Sequence, residues 1–109
     1  MKNKYYITTA IPYANADPHI GFALEILYAD VMARYQRLLG KEVYFLTGTD
    51  EHGQKMLKTA KEAKQPVEKF AAEKSAKFLN LADQWNIANN DFIRTTEERH
   101  IKSAQQFWQ

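Results

Sequence analysis

Two short stretches of this sequence gather residues that could do chemistry. The first is Ala10-Ile11-Pro12-Tyr13-Ala14-Asn15-Ala16-Asp17-Pro18-His19-Ile20-Gly21-Phe22. It closes with a histidine and a glycine where the pattern predicts the first turn of a helix. The N–H groups at a helix start lack intrahelical partners and carry a partial positive charge, so they attract phosphate. An imidazole there can donate a hydrogen bond to a phosphoryl oxygen, and Gly21, with no Cβ, would let a flat base approach the backbone. Taken alone, Pro18-His19-Ile20-Gly21 is also compatible with a capped helix carrying a surface histidine. The second stretch is Thr47-Gly48-Thr49-Asp50-Glu51-His52-Gly53. Asp50 could pair with a ligand ammonium through a charge-assisted bond. Asp, Glu and His together could hold a metal, but adjacent side chains rarely all face one ion, and no further His or Cys cluster stands nearby. A turn followed by a helix cap is the plainer alternative.

A third feature is basic. Lys55, Lys58, Lys61, Lys64, Lys69, Lys74 and Lys77 are offset only by Glu62, Glu68 and Glu73. Such a face could touch an RNA backbone, although a solvated helix face has the same composition.

These residues need a scaffold. Tyr5-Tyr6-Ile7-Thr8-Thr9 is aromatic and β-branched and predicts a buried strand. Two prolines and an Asn break the chain into a loop over residues 10–18. A helix is predicted from about Pro18 to Leu39, with Asp17 as N-cap and Pro18 in the first helical position. Ile20, Leu24, Leu27, Val31, Tyr35 and Leu38 recur at spacings of three and four and give one apolar stripe. Gly40 stops the helix. Lys41 to Leu46 predicts a second strand, Thr47 to Gly53 a loop, and Gln54 to Lys64 and Pro66 to Trp85 two further helices. Residues 86–94 read as loop with a short strand near Phe92-Ile93. Thr95-Thr96-Glu97-Glu98 has the form of a capping box, and the helix it would open runs to Gln109 with no stop signal, as in a chain cut inside a helix.

Strand, loop, helix, strand, loop, helix is the order of a βαβ unit with parallel strands. Both polar loops follow strands, and ligands of open α/β sheets bind outside the carboxyl ends of the strands. The expected fold is therefore α/β, with the two loops lining one crevice.

Composition sets the bounds. The 109 residues suffice for one domain, and a net charge of +2 does not by itself argue for nucleic acid. With no cysteine, disulfides and Cys-ligated zinc are excluded within the chain. No signal peptide or membrane span is visible, so the expectation is a soluble, cytoplasmic protein with no membrane partner.

Together the loops resemble a known family. Thr8-Thr9-Ala10-Ile11-Pro12-Tyr13-Ala14-Asn15 followed by Pro18-His19-Ile20-Gly21 resembles the His-Ile-Gly-His signature of class I aminoacyl-tRNA synthetases. Ala29 to Arg37 is similar to the helix that follows it. Thr47 to Gly53, and Asp91 to His100, are similar to blocks of the methionine-specific members. The resemblance covers almost the whole chain. It implies the first half of a Rossmann-like nucleotide-binding fold, with parallel strands and crossover helices. Residues 1–109 would then be the N-terminal part of the catalytic domain, lacking the remainder of the synthetase chain.

The resemblance also implies the chemistry. Methionine is activated with ATP to methionyl-adenylate and transferred to initiator and elongator methionine tRNA. His19 and Gly21 match the catalytic, ATP-binding positions, with Pro12, Asn15 and Phe22 on the nucleotide side. Ala10, Ile11, Tyr13 and Asp50 match the methionine side, Asp50 against the ammonium. Mg2+ would arrive with ATP, and no metal site is expected within the chain. The sequence departs from the signature at Phe22, which stands where the family has a second histidine. A phenyl ring cannot donate a hydrogen bond to phosphate, so slower adenylation is expected, with Phe22→His raising the rate. The family's Lys-Met-Ser-Lys-Ser loop is absent, since Glu73-Lys74-Ser75-Ala76-Lys77 stands in the wrong place. Two other readings share some of these features: another His-x-Gly-type nucleotidyl transferase, and a non-enzymatic Rossmann-type fragment.

Overall fold

A computed structural model describes residues 3–109; Met1 and Lys2 lie outside the described residues. β1 (Lys4–Thr8), β2 (Glu42–Thr49) and β3 (Asp91–Arg94) form one parallel sheet in the order β1-β2-β3. Helix α1 (Ile20–Leu38) crosses from β1 to β2; α2 (Gln54–Glu62) and α3 (Val67–Gln84) cross from β2 to β3; α4 (Glu98–Trp108) follows. The βαβ order is as the sequence predicts.

The core lies on one face of the sheet. Alternate residues Val43 and Phe45 of β2 point into it, meeting Phe22, Ile26, Ala29 and Ala33 of α1 and Phe78 and Ala82 of α3. On the opposite face Tyr6 and Tyr44 stack on each other and stay exposed. One sheet and one helix layer account for the thickness of 16 Å. A second cluster joins Met56 and Ala60 of α2 to Phe70 and Ala71 of α3 and to Ala14 of the first loop.

Four expectations are corrected. First, the apolar stripe read from the sequence is not the face that α1 buries. Ile20, Leu24, Leu27, Val31, Tyr35 and Leu38 are all exposed, while Phe22, Ala23, Ile26, Ala29, Asp30 and Ala33 are buried. Both faces are apolar, and the alanine face is the one that allows a close approach of helix to sheet. Second, α1 begins at Ile20 with His19 as its N-cap. Asp17 instead pairs with Lys74 and Lys77 of α3, each at 2.7 Å. Third, β2 runs on through Thr47, Gly48 and Thr49, which pair with Phe92, Ile93 and Arg94. A Cβ on Gly48 would sit 2.0 Å from the Ile93 carbonyl oxygen, so glycine lets β3 close against β2. Fourth, β1 is only half-buried, because its second edge and outer face have no partner among the described residues.

Polar bonds lock α1 to the segment before β3. Asp30 accepts from Arg34 at 2.8 Å and from the Ala88 N–H at 2.7 Å. Arg37 donates to the Ala88 carbonyl and to the Asn90 side chain. No helix among the described residues is long and apolar enough to cross a membrane.

Candidate functional site

The two polar loops lie side by side at the carboxyl ends of β1 and β2. Beyond the last regular pair, Tyr13 and Asp50 form an isolated parallel bridge. The Asp50 N–H donates to the Pro12 carbonyl and the Ala14 N–H donates to the Asp50 carbonyl, both at 2.9 Å. Below it the Thr9 and Thr47 hydroxyls share a 2.7 Å hydrogen bond, and the Ala10 N–H donates to Glu25 of α1 at 2.6 Å. The first loop is thus held on both sides, which leaves Ile11 and Tyr13 exposed at the rim and Asn15 half-buried in the turn that follows.

His19 and Gly21 act as a unit. The Gly21 N–H donates to His19 Nδ1 at 3.0 Å. An imidazole nitrogen that accepts carries no proton, so the proton of the neutral ring sits on Nε2. The exposed imidazole therefore keeps an N–H donor at the start of α1, beside N–H groups that have no intrahelical partner. A Cβ on Gly21 would lie 2.9 Å from His19 Cε1 and 3.0 Å from Nδ1. The spacing of histidine and glycine has a local cause: the absence of a side chain at residue 21 leaves room for the ring to fold back over the helix start.

Phe22 has a different placement from the one expected. Its ring is 5% exposed and packs edge to face against Phe78, centroids 5.0 Å apart. The position one residue after Gly21 points to the sheet, so this side chain belongs to the core and not to the crevice.

In the second loop Asp50 is half-buried, and its Oδ1 takes the His52 N–H at 3.1 Å and lies 3.4 Å from the Thr95 hydroxyl. His52 reaches the Thr95 carbonyl through Nε2 at 3.1 Å. Glu51 turns inward and its side chain is 0% exposed. It accepts from Arg94 Nε at 2.6 Å and Nη2 at 3.0 Å, from Thr96 at 2.6 Å, and from Ser75 of α3. Burial pushes its carboxyl pKa up, but the hydrogen bonds from Arg94, Ser75 and Thr96 outweigh that and hold it below the usual carboxylate range. Nothing in the sequence pointed to Glu51, Arg94 and Thr95 as one bonded group. The Thr95-Thr96-Glu97-Glu98 run that reads as a capping box gives its threonine hydroxyls to residue 51, and α4 starts at Glu98 without a side-chain cap. A cavity of about 430 Å³ lies behind this loop, lined by Glu51, His52, Met56, Leu57, Val67 and Ala71 among others; it does not include His19, Gly21 or Asp50.

Comparison with known proteins points to one family over almost the whole chain. A family model described as "tRNA synthetases class I (M)" matches residues 5–109. The chain belongs to the class I tRNA synthetases (M). Among curated members of that family, it is 57% identical to the methionine–tRNA ligase of Rhizobium meliloti over 95% of this chain and 20% of the relative. With the methionine–tRNA ligase of Thermotoga maritima the identity is 50%, over 95% of this chain and 16% of the relative. A solved structure of Mycobacterium tuberculosis methionyl-tRNA synthetase in complex with methionyl-adenylate superposes with a TM-score of 0.95 at 42% identity, covering 97% of this chain and 21% of that one. The chain thus spans about a sixth to a fifth of the length of these synthetases.

Proposed function

We propose that these 109 residues are the N-terminal part of the catalytic domain of a methionine–tRNA ligase. It would activate methionine with ATP to methionyl-adenylate and pass the methionyl group to tRNA in the cytoplasm. The observation that carries this reading is the bridge between Tyr13 and Asp50. It joins the loop that leads into α1 to the loop that carries the carboxylate, which supports a reading in which the start of α1 takes phosphate and Asp50 takes the ammonium. The methionyl-adenylate complex of the M. tuberculosis relative supports the choice of ligand.

In the proposed reaction, a carboxylate oxygen of methionine attacks the α-phosphorus of Mg2+-bound ATP. A P–O bond to the amino acid forms, the bond to the β-phosphate bridge breaks, and pyrophosphate leaves with its electron pair. The terminal ribose hydroxyl of tRNA then attacks the activated carbonyl carbon, and AMP leaves. No side chain of this chain is needed as nucleophile. Its contribution is position and charge. His19 Nε2–H and the free N–H groups of α1 take phosphate oxygens, and Gly21, Pro12 and Asn15 border the nucleotide. Asp50 takes the ammonium through Oδ2, since the hydrogen bonds described above engage Oδ1. The backbone at Ala10 and Ile11, and Tyr13, border the methionine side chain. Phe22 supports the α1 start from the core.

The reading is tested by methionine-dependent exchange of pyrophosphate into ATP, measured on the protein with its complete catalytic domain. Exchange that requires methionine and is abolished by His19→Ala supports it; exchange driven equally by another amino acid refutes it.

A further inference from the structure

We infer that Glu51 is a positioning residue for the amino-acid half of the site, orienting the Asp50 carboxylate through the segment Arg94–Thr96. The inference rests on the proposed role of Asp50 as ammonium partner.

A carboxylate with no exposed surface is costly unless it is fully partnered. Glu51 is partnered, and its partners lie where they set the neighbouring residues. The Arg94 guanidinium binds it in a two-pronged geometry that fixes both distance and plane. Thr96 adds a third bond from the same segment, and Ser75 ties the group to α3. Ser75 also shares a 2.7 Å bond with Thr49, the last residue of β2. The carboxylate therefore joins the ends of β2 and β3 to one helix.

Thr95 turns this anchor into orientation. Its hydroxyl accepts the Glu51 N–H at 2.8 Å. A hydroxyl has a single proton, and the Asp50 Oδ1 at 3.4 Å stands ready to receive it. The Thr95 carbonyl takes His52 Nε2. Residues 50, 51 and 52 thus each bond to Thr95, and Glu51 clamps the residues on both sides of it. With Oδ1 held by the His52 N–H and facing Thr95, Oδ2 is left to meet an incoming cation in one direction. Without the clamp the Thr95 hydroxyl would be free to turn, and the Asp50 carboxylate with it.

The test uses the complete catalytic domain with four variants: Glu51→Gln, Thr96→Val, Asp50→Asn and the Glu51→Gln/Asp50→Asn double variant. Folding is checked by circular dichroism. KM for methionine and for ATP come from pyrophosphate exchange. Inhibition is measured with the analogue of methionine that lacks the amino group. Glu51→Gln is expected to raise KM for methionine about tenfold to a hundredfold, the range for misplacing one charged contact, with a much smaller change for ATP. The des-amino analogue should bind the variant as it binds the parent, and the double variant should be no worse than Asp50→Asn alone. Thr96→Val removes one bond, should shift methionine in the same direction by less, and carries the test if Glu51→Gln fails to fold. Folded variants with the parental KM for methionine would overturn the inference. So would equal weakening of methionine and the des-amino analogue, which is what a purely structural clamp would give. If Asp50→Asn leaves KM for methionine unchanged, the reading of Asp50 falls and the inference with it. If Asp50→Asn weakens methionine while Glu51→Gln and Thr96→Val do not, only the positioning role falls.

Discussion

Replacing Gly21 by alanine separates the helix-capping role of His19 from its proposed catalytic one. The new methyl group would sit 2.9 Å from His19 Cε1 and 3.0 Å from Nδ1, the first just below and the second at the lower limit of real Cβ contacts. The ring must shift to make room, and the expected outcome is that its bond to the residue 21 N–H is lost as it does. Losing an N-cap bond costs about 0.5–2 kcal/mol. Against this, alanine is favoured over glycine inside a helix by about 1 kcal/mol. Residue 21 is the second residue of α1, so both effects act at one place and nearly cancel. A net change within about 1 kcal/mol would keep Tm within about 4–8 °C of the parent for a domain of this size. Activity has no such compensation. The Nε2–H donor leaves the proposed phosphate position, and loss of one such donor costs about a hundredfold to a thousandfold in rate. The assay pairs thermal melting with methionine-dependent pyrophosphate exchange in the complete catalytic domain. A Tm near that of the parent with exchange down at least about tenfold supports the argument. Unchanged exchange would refute it, because the ring would then not need the space that glycine leaves.

Phe22→Ala should cost about 3–5 kcal/mol by opening a core cavity beside Phe78. Phe22→His should also destabilise, by about 1–3 kcal/mol for a buried imidazole without a partner, and not speed adenylation as the sequence alone suggests; denaturant unfolding and exchange rates check both. Asp17 should titrate at about 2, held down by its bonds to Lys74 and Lys77, which carboxyl NMR would read directly. Because its folded pKa is depressed, whatever stability Asp17 adds is present above its unfolded value of 3.8 and is lost as pH falls toward 2; Asp17→Asn should flatten the melting profile in that window. Leu27→Ser and Val31→Ser, on the exposed face of α1, should change the stability of the 109-residue chain by no more than about 0.5 kcal/mol. In the complete catalytic domain they should cost about 1–3 kcal/mol each, if later chain covers this stripe; equal small effects in both would refute the cover.

Local signals carried the order of the elements. Prolines 12 and 18, the glycines and the β-branched runs act over a few residues, so strands, loops and helices could be read with boundary errors of one to three residues, as at Leu46 against the observed Thr49. The crevice was legible for the same reason, since two polar loops after two parallel strands must share one sheet edge. The Tyr13–Asp50 bridge joins the two loops there. What the sequence could not settle was which of two apolar faces α1 turns inward. Periodicity weighs large side chains most heavily, whereas this sheet accepts the face built on Ala23, Ala29 and Ala33 because small residues let the helix come close. The same decision took Phe22 out of the crevice. Glu51 was equally hidden: its partners Ser75, Arg94 and Thr96 lie 24, 43 and 45 residues away, and only packing of α3 and β3 against β2 brings them to one carboxylate.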